Sequence, residues 1–431
     1  MVDKIISTLI NSFSEVKEHR YKNNQIELSD YLTSAYAMLH LKDPSLHHYR
    51  INYEERSSNL QRIYGINELR SDSAMREGID GILPSELQSC FKPCLELLDN
   101  QGIMEEYKVL GKYQCLLFDG TEHYCSCTNP CEHCLTVEHK NKKGEVTTTT
   151  YHHKALACVM AHYEYKEVFP VCCEAIVRQD GATKNDCELN SAKRILPIVR
   201  DLLEAPKYDL LGVFDGLFPN GPFIRALNDI NMRFVIAIKE GFVLIQIDTL
   251  RKKGELYTKT WIDDKQNKCV ASWYNKLILN GSNLDMEVNY FEFTQYDAKG
   301  KMIYYNTWIS DIEVDENNII ELVKIGRSRW KIENETFNTL KNQGYHLEHS
   351  YGHGKKYLAT NFMLLTFLAF FTDQLVQKMD STFDKALKLA KTKKNLWEKV
   401  RMVFDLIPCA SMNVIYRFIA KEISIDFHLL E

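Results

Sequence analysis

The chain lacks an excess of basic charge. Its 53 Lys and Arg stand against 58 Asp and Glu, for a formal net charge of −5 over 431 residues. That excludes a surface that attracts nucleic acid all round, but not a local basic groove, because nearby charges set the field at a groove. The sequence also lacks an apolar run long enough to span a bilayer. The most apolar stretch, FMLLTFLAFF (Phe362 to Phe371), ends in Thr372-Asp373 and reads as a buried helix, so no membrane is expected. The N-terminus has no charged segment followed by an apolar core and a small-residue cleavage site, so no signal peptide is read. Solenoid repeats and low-complexity linkers are missing as well. With 45% hydrophobic and 26% charged residues, this is the composition of an ordinary globular protein. Length gives a soft prior of roughly two to four domains. Cysteine, by contrast, is plentiful. The count of 13 is odd, and without a secretory signal it favours free thiols in a reducing cytoplasm over a disulfide framework.

Residues 1–110 read as helical. Ser29 is a plausible N-cap for ELSDYLTSAYAMLHL, Ser71 or Ser73 for SDSAMREGIDGI, and Ser85 with Gln88 forms a capping-box pattern. Short helices with tight turns suit a DNA-binding region of helix-turn-helix type, or equally a plain bundle. From 111 to 240 the pattern is strand and helix mixed. KYQCLLFDGTEH is a strand; YHHKALACVMAHYEYKEVFPVCCEAI reads as two strands turning near Glu164. DCELNSAKRILPIVRDLLEA is a helix, LLGVFDGLFPNG a strand, GPFIRALNDIN a helix and RFVIAIKEG a strand. Residues 241–310 alternate in the strand manner: VLIQIDTL, KTWIDD, CVASWYNKLIL, MEVNYFEFTQYD, KMIYYNTWISDI. Lys253-Gly254, Asn280-Gly281 and Lys299-Gly300 serve as turns, so the segment reads as a β-rich insertion. Helix returns over DENNIIELVKIGRSRWKIENETFNTLKNQG, with Asp315 as N-cap and Gly344 as stop. This second α/β piece spans 311–375, and a helical tail runs from 376 to 431.

Within RSRWKIENETFNTLK (Arg327 to Lys341) two acids compete for attention. At about 100° per residue, Glu333 falls on the face of Trp330, Phe337 and Leu340, flanked by Arg329 and Lys341. Glu335 falls opposite, with Lys331, Asn338 and Asn342, as a solvated acid would. A carboxylate facing the interior unpaired costs several kcal/mol by rough estimate. On the helix alone, a salt bridge to Arg329 and a chemical role for Glu333 remain equal readings. Two other segments shift that balance. LLFDG (Leu116 to Gly120) and VFDGLFP (Val213 to Pro219) each put an Asp at the carboxyl end of an apolar strand, where open sheets form their sites. If those strands are neighbours, Asp119 and Asp215 meet. Three carboxylates brought together need a compensating cation. Hard oxygen ligands select Mg²⁺ or Mn²⁺, and a two-ion site of this kind suits phosphoryl transfer.

This order of strand-Asp119, strand-Asp215, β-rich insertion and helix-Glu333 resembles the DDE transposases of bacterial insertion sequences. The Arg-Trp-x-Ile-Glu core of that family is matched by Arg329, Trp330, Ile332 and Glu333. KNDCELNSAKR (Lys184 to Arg194), FDGLFPN and GRSRWKIENETFNTLKNQGYHLEHSYGHG extend the likeness over about 100 to 375. Two positions depart: Gly326 stands where the family has Tyr, and Lys341 comes one residue late. The resemblance implies a ribonuclease-H-like mixed sheet with helices, interrupted by the β insertion and flanked by helical N- and C-terminal regions. It implies Mg²⁺-dependent cleavage of element ends and transfer of the 3′-hydroxyl into target DNA. Asp119, Asp215 and Glu333 would be catalytic and hold two Mg²⁺ ions. Arg329, Lys341, Arg327, Lys193 and Arg194 would meet phosphates. Terminal inverted repeats and target DNA are the implied partners, bound by a homodimer at the bacterial nucleoid. A domesticated DNA-binding protein that has lost catalysis, and a nuclease of the same fold without strand transfer, are the competing readings. Trp261, Trp273 and Trp308 lie in or beside the insertion, where such enzymes can hold a flipped base; strand tryptophans are more often core.

A second constellation is HYCSCTNPCEHC. Cys131 and Cys134 make half of a zinc site, and Cys125 and Cys127 are the candidates for the other half, with His123, His133, His139 and His153 as alternatives. Buried free thiols are the competing reading. His349 and His353 read as structural or phosphate-contacting loop residues. HKNKKGE (His139 to Glu145), KALKLAKTKKNLWEKVR (Lys385 to Arg401) and Lys355-Lys356 are basic stretches that either meet DNA or form solvated faces.

Overall fold

The computed structural model describes residues 1–20, 26–178, 185–204 and 207–424. Lys184, Ala205 at the end of the helical stretch, and the last residues of the tail lie outside them.

The protein is mixed α/β, built on one sheet of eleven strands. They are β1 (Lys108–Val109), β2 (Tyr113–Ser126), β3 (Leu135–Lys140), β4 (Val146–Ala161), β5 (Val168–Ile176) and β6 (Asp209–Phe214). The rest are β7 (Met232–Ala237), β8 (Tyr257–Ile262), β9 (Lys268–Asn280), β10 (Asn283–Tyr296) and β11 (Met302–Ser310). The sheet runs in the order β3-β4-β2-β6-β7-β11-β10-β9-β8, with β5 also on β4 and β1 on β2. β2, β6 and β7 are parallel; the other pairings are antiparallel. The central strands are apolar nearly throughout, as strands covered on both faces are: Leu116, Leu117, Phe118, Leu210, Leu211, Val213 and Phe214 are all fully buried.

The β-rich insertion is not a separate body. β11 pairs with β7 through Trp308↔Ala237, Ile309↔Ile236 and Ser310↔Val235, so the insertion continues the central sheet. Its hairpins turn at Asn280-Gly281 and Lys299-Gly300, as expected. VLIQIDTL, however, is no strand. It lies in the helix Phe242–Lys253, which buries Val243 and Ile247 one turn apart and ends on basic Arg251, Lys252 and Lys253. Lys253-Gly254 is therefore a helix stop: Gly254 takes φ 74, the left-handed conformation of a C-terminal cap.

The N-terminal segment is helical as read, but two of its caps fall elsewhere. Ser71 does accept from the Ala74 N–H at 3.3 Å. Ser29 sits inside the helix Leu28–His40, whose N-cap is Glu27. Ser85 follows Pro84 at the start of Pro84–Ser89, and Gln88 donates to the Cys173 carbonyl instead of closing a capping box. Pro84, pre-set for a first helical position, moves that start one residue earlier. The helices before 110 and those after 380 are not two independent units. Both pack around the helix Leu358–Met379, and Tyr53–Tyr64 packs on Lys393–Leu406. Among the described residues Leu358–Met379 is the one helix long and apolar enough to cross a membrane, and it is buried in the fold. A buried polar knot fixes this assembly: Lys42 Nζ meets Asp373 at 2.7 Å between the rings of Tyr345 and Trp397.

The stretch from Asp315 to Gly344 is broken rather than continuous. The N-cap of the helix Ile319–Arg327 is Asn318, not the expected Asp315, which instead accepts the N–H groups of Asn317 and Asn318 in the turn just before it. A turn follows at Ser328, then a π-helix at Ile332–Phe337 and a last α-helical turn at Asn338–Asn342.

Candidate functional site

Asp119 is held by an uninterrupted strand. It was expected at a strand end, yet β2 continues to Ser126, and Asp119 pairs across with Ala157. The continuation exists because β4 is long enough to pair with β2 out to Tyr151. Gly120 is consequently not a turn residue. A Cβ there would lie 2.3 Å from Glu188 Oε1, so glycine makes room for a carboxylate. Asp215 does follow directly on the end of β6, and its Oδ1 accepts the Leu217 N–H at 2.9 Å in a tight turn. The parallel register Leu117↔Val213, carried forward two residues, sets Asp119 beside Asp215 on the same face.

Glu333 comes from the π-helix, which packs against β2 and β5. Its carboxylate is half exposed, not interior, and it is joined to Asp119 through one side chain. Arg329 donates to Asp119 Oδ2 at 2.8 Å and to Glu333 Oε1 at 2.5 Å. The salt-bridge reading of the helix is thus present, and the same arginine leads on to Asp119. The inward-facing expectation fails at Glu333 and Trp330, where the turn at Ser328 and the wider π-turn break the regular phase of about 100° per residue, while Phe337 and Leu340 are buried as expected. Trp330 is exposed for the same reason, and Lys331, expected on the solvated side, is 4% exposed and donates to the Tyr165 carbonyl. Glu335 is half-buried and feels Lys331 and Lys393.

Electrostatics mark the centre of this group. Burial pushes the Asp119 carboxyl up to about 7; the Glu333 and Asp215 charges add to the rise, and Arg329 opposes it. Glu188, which no motif had singled out, is also raised, by burial first and by Asp215 second. It opens the helix Glu188–Leu202, where an acid reads from sequence as ordinary compensation of the helix dipole. Only the close approach to Gly120 reveals it. The cluster is therefore Asp119, Asp215, Glu188 and Glu333, with Arg329 as internal cation. Its oxygens are of the kind a hard divalent cation takes, but among the described residues no three of them gather within 4.8 Å of one another, and the rise of the Asp119 carboxyl comes first from burial.

The other basic candidates fare differently. Arg327 lies over the rings of Phe293 and Tyr304, at 5.2 and 4.4 Å, and faces the insertion rather than the carboxylates. It shares an open cavity there with Trp261 and Trp330, while Trp273 and Trp308 are core. Arg194, read as a phosphate ligand, is engaged internally by Glu174 at 2.6 Å and Asp186 at 2.7 Å. Lys193, next to it, is exposed. Lys341 pairs with Glu348 at 3.0 Å, and its charge reaches His123. Gly326 has a structural reason: a Cβ there would meet the Trp308 ring at 2.7 Å, which leaves no room for a tyrosine. The basic stretch from Lys385 to Arg401 is two helices broken at Lys391, with Trp397 buried and Arg401 donating to the Leu41 and Lys42 carbonyls. Lys355 and Lys356 remain exposed in the turn that Asp80 caps.

The cysteine cluster assembles with other partners than expected. Cys125 and Cys127 are exposed and stand apart; Cys125 groups instead with Glu122 and His152. Ligand atoms of Cys131, Cys134, His153 and His353 all lie within 4.8 Å of one another. β2 and β4 run antiparallel with Tyr124 opposite His153, which carries His153 to the turn of Cys131 and Cys134. His353 arrives from the segment after the Glu333 helix. His123 is buried beside the group, its ring centroid 5.8 Å from that of His153. His133 and His139 are not members.

Comparison with models of known protein families gives no match, and neither does comparison with curated protein sequences.

Proposed function

We propose that the protein is a DNA transposase of the DDE type, using Asp119, Asp215 and Glu333 to cut element ends and join a 3′-hydroxyl to target DNA. The observation that carries this reading is the link of Glu333 to Asp119 through Arg329, with Asp215 on the adjacent parallel strand. The strand arrangement supports it too: the order β5-β4-β2-β6-β7, antiparallel on one side of β2 and parallel on the other, is what a ribonuclease-H-like sheet requires.

Mg²⁺ or Mn²⁺, two ions in the full reading, would be held by Asp119, Asp215 and Glu333, with Glu188 as a further oxygen donor. Bound there, the metal supplies a nucleophile at neutral pH and charge stabilisation for in-line displacement. The chain's own residues prepare that state. Asp119 is fixed by strand backbone and Asp215 by the tight turn directly after β6, so both are held without ligand. Arg329 bridges two of the acids in the free protein and is placed to turn its guanidinium to a phosphate when cations replace it. Arg327, over two aromatic rings, and Trp330, exposed beside it, offer a cationic and stacking surface to a strand of DNA. Two element ends need two such sites, so the working form is a dimer on DNA, at the nucleoid.

A supercoiled plasmid target assay with labelled element ends tests the reading. Joined products that require Mg²⁺ and vanish in Asp119→Asn are expected. Cleavage without joining would favour the nuclease, and DNA binding with neither step would favour a silenced relative. Full activity in Asp119→Asn would sink the site assignment.

A further inference from the structure

The Cys/His cluster is separate from the carboxylates. Tyr124, whose ring meets that of His353 edge-on at 4.4 Å, lies five residues beyond Asp119 on β2, about 17 Å along the strand. Cys131 Sγ and Cys134 Sγ are 3.3 Å apart, and each approaches His153 Nε2, at 3.1 and 3.2 Å. Both cysteines are free thiols. Cys134 and His153 are almost wholly buried. His353 Nε2 is buried without any hydrogen-bond partner, as a nitrogen reserved for a metal would be. His353 can turn into the group because Gly352 and Gly354 on either side take φ 112 and φ 69, where a side chain would be strained.

We propose that Cys131, Cys134, His153 and His353 form a structural zinc centre that staples the segment after the Glu333 helix to the end of the sheet. Two thiolates and two neutral imidazoles balance a divalent ion, which is what a buried site needs. Four protein ligands fill a tetrahedron, so there is no open position for catalysis. A tetrahedral zinc site has S···S and S···N edges of about 3.8 and 3.5 Å. The observed edges are a few tenths of an ångström shorter, and side-chain rotation alone opens them. The spread of all ligand atoms within 4.8 Å suits one ion and is too small for an iron–sulfur cluster with ligands on two metals. Cys131 and Cys134 sit on one tight turn, in which the Cys131 N–H donates to Cys134 Sγ at 3.3 Å.

The staple matters because of where His353 lies in the chain. The segment 343–357 leaves the Glu333 helix and returns to the core helix Leu358–Met379. Its far end is already tied down: Arg76 donates to the Tyr351 carbonyl, and Asp80 accepts N–H groups from Lys355 through Leu358. Zinc would add a cross-link from this segment to β4 and the turn before β3. The proposal does not depend on the transposase reading, since it is tested without DNA.

The full-length protein, purified without chelator, is expected to carry about one zinc per chain. After exchange it should give the ligand-field spectrum of tetrahedral Co²⁺ with charge transfer from two thiolates. Cys131→Ser and His353→Ala should each cut bound zinc at least tenfold, while Cys125→Ser and Cys127→Ser keep it. If a ligand variant does not fold, X-ray absorption on the wild-type protein decides: two sulfur and two nitrogen neighbours support the set, three or four sulfurs overturn it. Wild-type protein that binds neither zinc nor cobalt overturns the centre. Hydrogen exchange over residues 345–357 should quicken about tenfold on zinc removal; unchanged exchange overturns the stapling role.

Discussion

The carboxylate group and the Cys/His cluster both gather residues from distant parts of the chain, but they are built oppositely. Asp119 is mostly buried and its carboxyl is raised by that burial, Glu333 is half exposed, and one arginine bridges them. The Cys/His cluster is drawn in tightly, with Cys134 and His153 buried. On the proposed function the first must change when its ligand arrives, since Arg329 would have to give way to a cation. The second has the character of a site already shaped for its ligand. Stored electrostatic repulsion is expected where chemistry occurs, and closed coordination where only structure is needed.

The sharpest way to break this contrast is to remove the acids one at a time. Asp119→Asn and Glu333→Gln should each lower strand joining by roughly a thousandfold or more, on the scale of losing a catalytic metal ligand. Glu335→Gln should stay within about threefold, because the arginine bridge to Asp119 runs through Glu333 and not Glu335. Equal losses at Glu333 and Glu335 in the plasmid assay would remove the distinction between them. The departure from the family pattern at Gly326 gives the next largest effect. Gly326→Tyr drives a ring into Trp308 and should cost about 3 kcal/mol or more in a urea melt, as severe overpacking does. A neutral result would mean that the helix Ile319–Arg327 is free to lift off the sheet.

How much of this was legible beforehand depended on whether the signal was local. Asp119 and Asp215 stood out because an apolar strand followed by Asp-Gly is unusual twice over. Their adjacency could be stated only as a condition, since strand order is a long-range property. Glu333 was found by spacing, yet its orientation was misjudged because a wheel of about 100° per residue cannot anticipate a π-turn. The helix Phe242–Lys253 was misread from the alternation in VLIQIDTL, although its basic last turn and Gly254 were both in view. His353 was set aside because a loop histidine gives no sign of its partners. It lies far from Cys131, Cys134 and His153 in sequence, and only the return of the chain from the Glu333 helix brings it to them.

Arg329 offers a finer test of the carboxylate site. It lowers the Asp119 carboxyl against burial and the two neighbouring acids. Arg329→Gln should therefore move the acidic limb of Mg²⁺ binding upward by about one pH unit, since one pKa unit corresponds to about 1.4 kcal/mol of interaction. Isothermal titration at several pH values measures this, and a downward move would show that Arg329 does not act on Asp119.

The smallest effect is on stability and follows from the same carboxyl. In the folded protein Asp119 holds its proton up to about 7, against an ordinary value of 3.8. Between those values the folded state binds more protons than the unfolded state, so stability falls as pH rises. The contribution is intact below about pH 4 and lost above about pH 7. Asp119→Asn removes the titration, and Arg329 keeps Glu333 as a partner. The variant should match the wild-type protein near pH 4 and exceed it by ~1–3 kcal/mol at pH 8 without metal. Adding Mg²⁺ should narrow that gap, because only the wild-type site gains a ligand that favours the ionised carboxylate. A gap of the same size at both pH values would mean that burial does not hold the Asp119 carboxyl up, and the two clusters would then differ in ligand type alone.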